Sequence, residues 1–262
     1  VDTVRADVCQ GIKKTYLLHG VTGSGKTEVY MELIADAVAS GRQAIVLIPE
    51  IALNYQTVMR FFGRIGEKIS VMHSRLSAGE RYDQFEKARK GETKIMIGAR
   101  SALFTPFAHL GLVVMDEEHE GAYRSEGAPR YHAREVAEHL AEMSGAFLVM
   151  GSATPSLEAY SKAEAGIYKL CPLRKRASQG SALAATEVVD LRRELEAGNK
   201  SIFSRRLTEL IEDRLAKKEQ VMLFMNRRGY SSFVSCRSCG RAVKCPHCDV
   251  SLSQHNNGKA VC

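Results

Sequence analysis

Short, solid apolar runs alternate with amphipathic stretches along the first 150 residues. Tyr16-Leu17-Leu18 is such a run, and Glu28 to Ala39 is an amphipathic segment behind it. Gln43 to Ile48 predicts a buried strand ended by Pro49, followed by a helix over Tyr55 to Phe62 and a short strand over Ile69 to Met72. Helical spacing returns over Ala78 to Arg89, strand character over Lys94 to Ile97, and a strongly buried strand over Leu112 to Met115. A helix over His132 to Met143, a strand over Phe147 to Met150 and a helix beginning near Ser156 complete the pattern. Strands without polar alternation, interleaved with helices, predict an α/β fold with a parallel sheet covered on both faces. Ligands of such sheets sit at the carboxyl ends of the strands, so the residues leaving each strand are the candidates for chemistry.

The first exit is Gly20-Val21-Thr22-Gly23-Ser24-Gly25-Lys26-Thr27, which fits G-x-x-x-x-G-K-[ST] between a strand and a helix. Its glycines permit backbone angles that turn successive N–H groups inward, toward phosphate oxygens at a positive helix N-terminus. Lys26 would reach the β- and γ-phosphates and the Thr27 hydroxyl would ligate Mg²⁺. A glycine-rich turn that only caps a helix is the alternative. After Leu112 to Met115 comes Asp116-Glu117-Glu118-His119. Asp116 would hold the water shell of Mg²⁺, and Glu117 would orient and deprotonate an attacking water. Three carboxylates buried without a cation would be costly, and the alternative is a solvated acidic turn. After Phe147 to Met150 comes Gly151-Ser152-Ala153-Thr154-Pro155, which either relays movement from a nucleotide site or caps the next helix.

Composition adds a second region. The 262 residues are 45% hydrophobic and 26% charged, as expected of a globular protein, and no apolar run approaches the ~20 residues of a membrane span. With no signal peptide at its start, the chain is expected in the cytoplasm. The net charge of +7 is carried by the C-terminal part. From Cys171 onward 17 Lys and Arg face 9 Asp and Glu, whereas the first 170 residues hold 20 and 21. That excess suits a polyanion, although any one basic doublet is equally a solvated helix face. Five of the seven cysteines lie between Cys236 and Cys262. Cys236-x-x-Cys239 and Cys245-x-x-Cys248, with Cys262, have the spacing of tetrahedral Zn²⁺ ligands, a redox C-x-x-C being the alternative.

The order and spacing of the three strand exits resemble motifs I, II and III of superfamily 2 DExH translocases. The blocks Gly20 to Tyr30, Ile48 to Leu53, Gly98 to Phe104, Asp116 to His119, Arg130 to Arg134, Gly151 to Ser156 and Asn226 to Tyr230 narrow this further. Together with the cysteine pairs they resemble the PriA family of bacterial primosomal replication-restart helicases, from Leu17 onward. The resemblance implies a RecA-like ATP-binding helicase lobe over residues 1–172, the start of a second lobe over 173–232, and part of a cysteine-rich zinc-binding insertion over 233–262. It implies ATP, Mg²⁺ and Zn²⁺ as cofactors, and ATP hydrolysis coupled to 3′→5′ translocation on DNA. Forked and single-stranded DNA, primosome proteins and single-stranded-DNA-binding protein are the partners implied.

By the same resemblance Gly20 to Thr27 bind ATP, Lys26, Asp116 and Glu117 are catalytic, Thr27 and Asp116 hold Mg²⁺, and His119, Ser152 and Thr154 couple the site to movement. Pro49, Glu50, Arg100, Ser101, Tyr123, Arg130, Arg227 and Arg228 would contact DNA. Tyr123 to Arg134 would be an aromatic-rich loop that senses DNA, although Ala122, Arg124 and Ser125 stand where Ser, Lys and Gln are usual. The alternative for Tyr123 and Tyr131 is packing at the sheet edge. The family pattern also implies two zinc ions with interleaved pairs, so that Cys236/Cys239 and Cys245/Cys248 serve different ions. Neither set would be complete in these 262 residues, the other arrangement being one ion shared by both pairs. An N-terminal DNA-binding region and helicase motifs V and VI, with a second-lobe arginine, are expected outside this sequence. A 262-residue piece would then hydrolyse ATP very slowly. Two other readings stay open: a different DExH translocase, which zinc in the second lobe would disfavour, and a non-catalytic zinc-containing nucleic-acid module, which would keep its activity without Lys26.

Overall fold

The structure, a computed structural model, describes residues 1–12, 14–49, 55–66, 68–176, 184–224, 236, 239, 241–254 and 260–262. It divides into two units, Val1–Ala182 and Leu183–Cys262. In the first unit the elements run α1 (Asp2–Cys9), β1 (Thr15–Gly20), α2 (Lys26–Ala39), β2 (Gln43–Leu47), α3 (Tyr55–Ile65), β3 (Ile69–Met72), α4 (Ala78–Arg89) and β4 (Ile95–Gly98). They continue with β5 (Leu110–Asp116), α5 (Ala133–Ser144), β6 (Phe147–Ser152), α6 (Leu157–Glu164) and β7 (Tyr168–Leu173). The seven strands form one sheet in the order β3-β4-β2-β5-β6-β1-β7, with parallel pairing throughout.

The absence of polar alternation in the central strands follows from burial on both faces. Every residue of β2 and β6 is buried. Because side chains alternate across a strand, successive apolar residues enter two different cores. Ile45, Leu47, Val113, Met115, Leu148 and Met150 meet α5 and α6 on one face. Ala44, Val46, Leu112, Val114, Phe147 and Val149 meet Tyr30, Met31, Leu33 and Ile34 of α2 on the other, together with Phe61 of α3. Helix α5 turns Ala133, Ala137 and Ala141 toward the sheet, and this four-residue spacing of small side chains lets its backbone approach closely. Local signals support the packing. Ser77 and Glu80 form a capping box on α4, and Ser156 caps α6 by accepting the N–H of Ala159.

The boundaries differ from the sequence expectation where a functional loop is built into an element. Helix α2 starts at Lys26, two residues before the amphipathic pattern does, because the lysine and threonine form its first turn. Strand β6 runs on to Ser152, so Gly151 and Ser152 are its last residues and not part of an exit loop. Asp116 likewise ends β5. Strand β7 escapes the pattern because Lys169 and Pro172 interrupt its apolar residues, as an edge strand allows. Helix α1 is only weakly amphipathic and leaves no clear pattern either. Its buried Asp7 accepts the hydroxyl of Tyr16 at 2.8 Å and the ammonium of Lys169 at 2.6 Å, which ties the helix to β1 and β7.

In the second unit, α7 (Leu191–Glu196) is capped by Asp190 and α8 (Arg205–Ala216) by Ser204. Glu194 accepts the N–H of Arg205 and the amide of Asn199, and these donors hold its carboxyl down at about 2. A two-residue ladder joins β8 (Ser253–Gln254) to β9 (Ala260–Val261) in antiparallel fashion. Among the described residues no helix is long and apolar enough to cross a membrane.

Gly98 tests the close packing of the sheet edge. A Cβ there would lie 2.3 Å from the carbonyl oxygen of Met72 in β3, whereas one at Gly63 on α3 meets nothing within 4 Å. Gly98→Ala is expected to destabilise by about 1–3 kcal/mol, and Gly63→Ala to stabilise by up to about 1 kcal/mol. Urea unfolding of the two variants checks both signs.

Candidate functional site

The strand order brings the exits of β1, β6 and β5 side by side, with β6 in the middle. In the loop after β1, Gly23 and Gly25 have φ of 79° and 89°, angles that side chains resist. Lys26 is buried; its Nζ donates to the carbonyl of Gly20 at 2.8 Å and lies 3.6 Å from Oε1 of Glu117. The loop lysine and the acidic run, 91 positions apart, are therefore in one site. Ser24 Oγ is buried without a hydrogen-bond partner. An orphaned hydroxyl beside inward-turned glycines and a buried ammonium is a donor set that fits a phosphate group. Val21, Thr22 and Gly23 are exposed at the rim, and Thr27 is half-buried in the first turn of α2.

Each carboxylate of the acidic run meets a different partner. Asp116 accepts the hydroxyl of Tyr30 at 3.0 Å, and burial followed by the charge of Glu117 pushes its carboxyl above the usual range. Such a carboxylate is a fitting ligand for a divalent cation, whose charge would offset both effects. Glu117 takes a left-handed backbone, φ 46°, which turns its side chain toward Lys26. Glu118 is fully buried and belongs to a separate network. It accepts the N–H of Ser156 at 2.6 Å and the Ser156 hydroxyl at 3.0 Å, and lies 3.4 Å from the guanidinium of Arg134. Arg134 also donates to Ser156 Oγ at 2.8 Å. The network joins the end of β5 to the starts of α5 and α6.

The three residues expected to couple nucleotide to movement lie together. His119 Nδ1 and Ser152 Oγ are 2.7 Å apart, Thr154 donates its N–H to Ser152 Oγ at 2.9 Å, and His119 Nε2 is 3.5 Å from the Thr154 hydroxyl. The same imidazole is 3.7 Å from Glu117. The imidazole thus lies between the Glu117 carboxylate and the exit of β6.

The residues expected on a DNA-tracking face are scattered in their exposure. Ser101 and Arg130 are exposed, and Arg100 donates to the carbonyls of Ala122 and Arg124, holding the loop after the acidic run. Pro49 is buried, and Tyr123 takes the packed arrangement that the sequence left open as the alternative. Tyr123 is 1% exposed and donates its hydroxyl to the backbone carbonyl of Asp116 at 2.7 Å, so it contacts the acidic run and not solvent. Tyr131 is half-buried, its ring edge-on to the exposed Phe104. Glu50, Arg227 and Arg228 lie outside the described residues, as does most of the Ile48 to Leu53 block and all of Asn226 to Tyr230.

Cys245, Cys248 and Cys262 bring their sulfur atoms within 4.8 Å of one another. The turn holding the first two is closed by the N–H of Cys245 on Val250 O and that of Asp249 on Cys245 O, and the β8–β9 ladder brings in Cys262. The Cys245 thiol is held below its usual range, first by the N–H of His247. Three thiols in this grouping fit three of the four ligands of a tetrahedral Zn²⁺. Cys236 and Cys239 are exposed and do not join the group, so the arrangement in which both pairs share one ion is not the one observed among the described residues.

Sequence reasoning missed Tyr30, Gly151, Arg134 and Ser156 as members of the site. Tyr30 stands four residues beyond Lys26 and so on the same helix face, which is the signal that could have identified it.

The sequence profile of the DEAD/DEAH box helicases matches residues 3–163. The chain is 51% identical over 248 residues to replication restart protein PriA of Bacillus subtilis, covering 95% of this chain and 31% of that relative. It is 47% identical to replication restart protein PriA of Synechocystis, covering 91% of this chain and 29% of that one. The chain thus spans about a third of the length of these curated relatives. Among solved structures, the DUF1998 helicase MrfA superimposes with a TM-score of 0.55 at 18% identity, over 87% of this chain and 36% of MrfA, which supports the fold. The chain belongs to the DEAD/DEAH box helicases.

The buried network gives a stability test. Arg134→Ala leaves Glu118 buried without its cation and is expected to cost about 3–5 kcal/mol. In the double variant Glu118→Gln/Arg134→Met most of that loss returns, as measured by urea unfolding.

Proposed function

From its membership of the DEAD/DEAH box helicases, we propose that this chain is the nucleotide-hydrolysing part of a replication-restart DNA helicase of the PriA kind. In this reading ATP hydrolysis drives 3′→5′ movement along DNA at forks. The observation that carries the proposal is the meeting of Lys26 and Glu117 at 3.6 Å beside the half-buried Asp116, in a chain 51% identical to a replication restart protein. When bound, Mg²⁺ would neutralise phosphate charge and bring an ordered water shell to Asp116 and Thr27.

The chain's own residues would do the rest. The Gly20 to Thr27 loop holds the triphosphate, and Lys26 leaves the Gly20 carbonyl for the β- and γ-phosphates. Glu117, released from Lys26, orients the attacking water and takes its proton. His119, Ser152 and Thr154 carry the change in Glu117 toward the exit of β6. Arg100, Ser101 and Arg130, with Glu50, form a DNA-contacting set, and Arg227 and Arg228 are further DNA contacts of the second unit. Tyr123 serves that set from behind, through the Asp116 carbonyl. Cys245, Cys248 and Cys262 hold Zn²⁺, with a fourth ligand from beyond this group. Partners beyond DNA, namely primosome proteins and single-stranded-DNA-binding protein, follow from the likeness to PriA, as does a cytoplasmic location.

The test is DNA-stimulated ATP hydrolysis by the protein at the length of its relatives, on forked and unforked DNA. Lys26→Ala is expected to lower turnover at least ~100-fold while DNA binding persists; unchanged turnover overturns the proposal. The 262 residues assayed alone are expected to turn over very slowly even with DNA. An arginine contributed by a second helicase lobe is worth roughly 10³–10⁵ in rate, so vigorous DNA-stimulated hydrolysis by the 262-residue chain would contradict the expectation. For the cysteines, metal analysis after purification without chelator is expected to find zinc in the native chain and to find it lost in Cys245→Ser. Zinc retained in that variant would contradict the ligand set.

A further inference from the structure

Tyr30 contributes to the acidic site in a way that the motif spacing does not disclose. Its ring lies in the core on the α2 side of the sheet and is 1% exposed, yet its hydroxyl reaches a charged group, donating to Oδ1 of Asp116 at 3.0 Å. The ring passes β6 to get there. A Cβ on Gly151 would lie 1.6 Å from the Tyr30 oxygen and 2.8 Å from Cζ, so the hydroxyl occupies the volume that any side chain at 151 would need. Gly151 is not at a positive φ and no turn requires it there. Its lack of a side chain is explained by the passage of Tyr30.

The hydroxyl is phenolic and keeps its proton at neutral pH. It is therefore a permanent donor. Asp116 is held from the other side as well, its carbonyl taking the Tyr123 hydroxyl at 2.7 Å. A half-buried carboxylate with one oxygen committed to a fixed donor has one preferred orientation. Partners of this kind, one shell behind a metal ligand, set ligand direction and tune affinity.

We propose that Tyr30 is the positioning residue for the metal-binding carboxylate of Asp116, and that Gly151 is the notch that admits it. The inference rests on reading the site as one for Mg²⁺ and nucleotide. Tyr30 fixes the carboxylate direction before the cation arrives, and one glycine thereby ties the helix carrying Lys26 to the strand ending in Ser152.

The test is binding of the fluorescent nucleotide mant-ADP to the 262-residue chain, titrated with Mg²⁺ and repeated in EDTA. Tyr30→Phe keeps the ring and removes the donor. Its affinity for mant-ADP in EDTA is expected to stay within about twofold of wild type, since no phosphate contact is touched. Its half-saturating Mg²⁺ is expected to rise about 10–100-fold, the usual effect of removing such a partner. Gly151→Ala, which must push the hydroxyl away, is expected to raise the Mg²⁺ requirement in the same direction. A wild-type Mg²⁺ requirement in Tyr30→Phe overturns the inference, as does an equal loss of affinity with and without Mg²⁺, which would mark a general structural role. Absence of mant-ADP binding by the wild-type chain overturns the nucleotide-site reading itself, and this inference with it. A wild-type chain that binds and a Lys26→Ala chain that does not separate that failure from failure of the Tyr30 assignment alone.

Discussion

Three consecutive carboxylates at the end of a central, buried strand are the constraint on which the rest of the structure depends. Asp116 ends a strand buried on both faces and Glu117 and Glu118 follow it; the first two are half-buried and Glu118 is closed off, so water supplies only part of the compensation that adjacent negative charges need. Each is met by its own partner from a neighbouring helix. Helix α2 brings Lys26 to Glu117 and Tyr30 to Asp116, while α5 and α6 bring Arg134 and Ser156 to Glu118. The sheet order makes this possible, because β6 lies between β5 and β1 and only a glycine at 151 lets Tyr30 pass. Fold and site are the same problem here. The helices that cover the two cores also compensate the charges at the top of them.

How far this was legible in the sequence varies with the kind of signal. Apolar runs and a parallel sheet could be read directly, since a strand buried on both faces leaves a solid hydrophobic record. Gly20 to Thr27 and Asp116 to His119 were legible because their chemistry demands fixed residue types at fixed spacing. The division of labour within the acidic run was not, for Glu117 and Glu118 are identical in sequence and differ only in which partners reach them. The burial of Pro49, and the choice between surface and packing at Tyr123, could not be read for a related reason. An aromatic or proline residue in a block associated with DNA contact reads as surface, and its burial is decided by the path of the chain around β5 and β2. Cys262 was readable as a candidate ligand, but its grouping with Cys245 and Cys248 depends on the β8–β9 ladder, which two-residue strands do not announce.

The same contacts suggest how events at one surface would reach another. The loop after the acidic run is held by Arg100 from the exit of β4 and touches Asp116 through Tyr123. On the other side, His119 spans Glu117, Ser152 and Thr154. A displacement of that loop would therefore move the carbonyl of Asp116, and a change at Glu117 would move the end of β6. Of these contacts, the Tyr123–Asp116 and His119–Ser152 hydrogen bonds are short and half-buried in a closely packed sheet, the kind of connection that has few alternative arrangements.

The central claim is that the three carboxylates hold separate jobs: metal holding at 116, water activation at 117, architecture at 118. The most direct measurement is Mg²⁺-dependent binding of a fluorescent ATP analogue to Asp116→Asn, Glu117→Gln and Glu118→Gln, each checked for folding by circular dichroism. The account expects the Mg²⁺ dependence to be lost only in Asp116→Asn, with Glu117→Gln binding as tightly as wild type. Glu118→Gln should bind normally while unfolding earlier. A well-folded Glu118→Gln that no longer binds, or an Asp116→Asn with wild-type Mg²⁺ dependence, would contradict it.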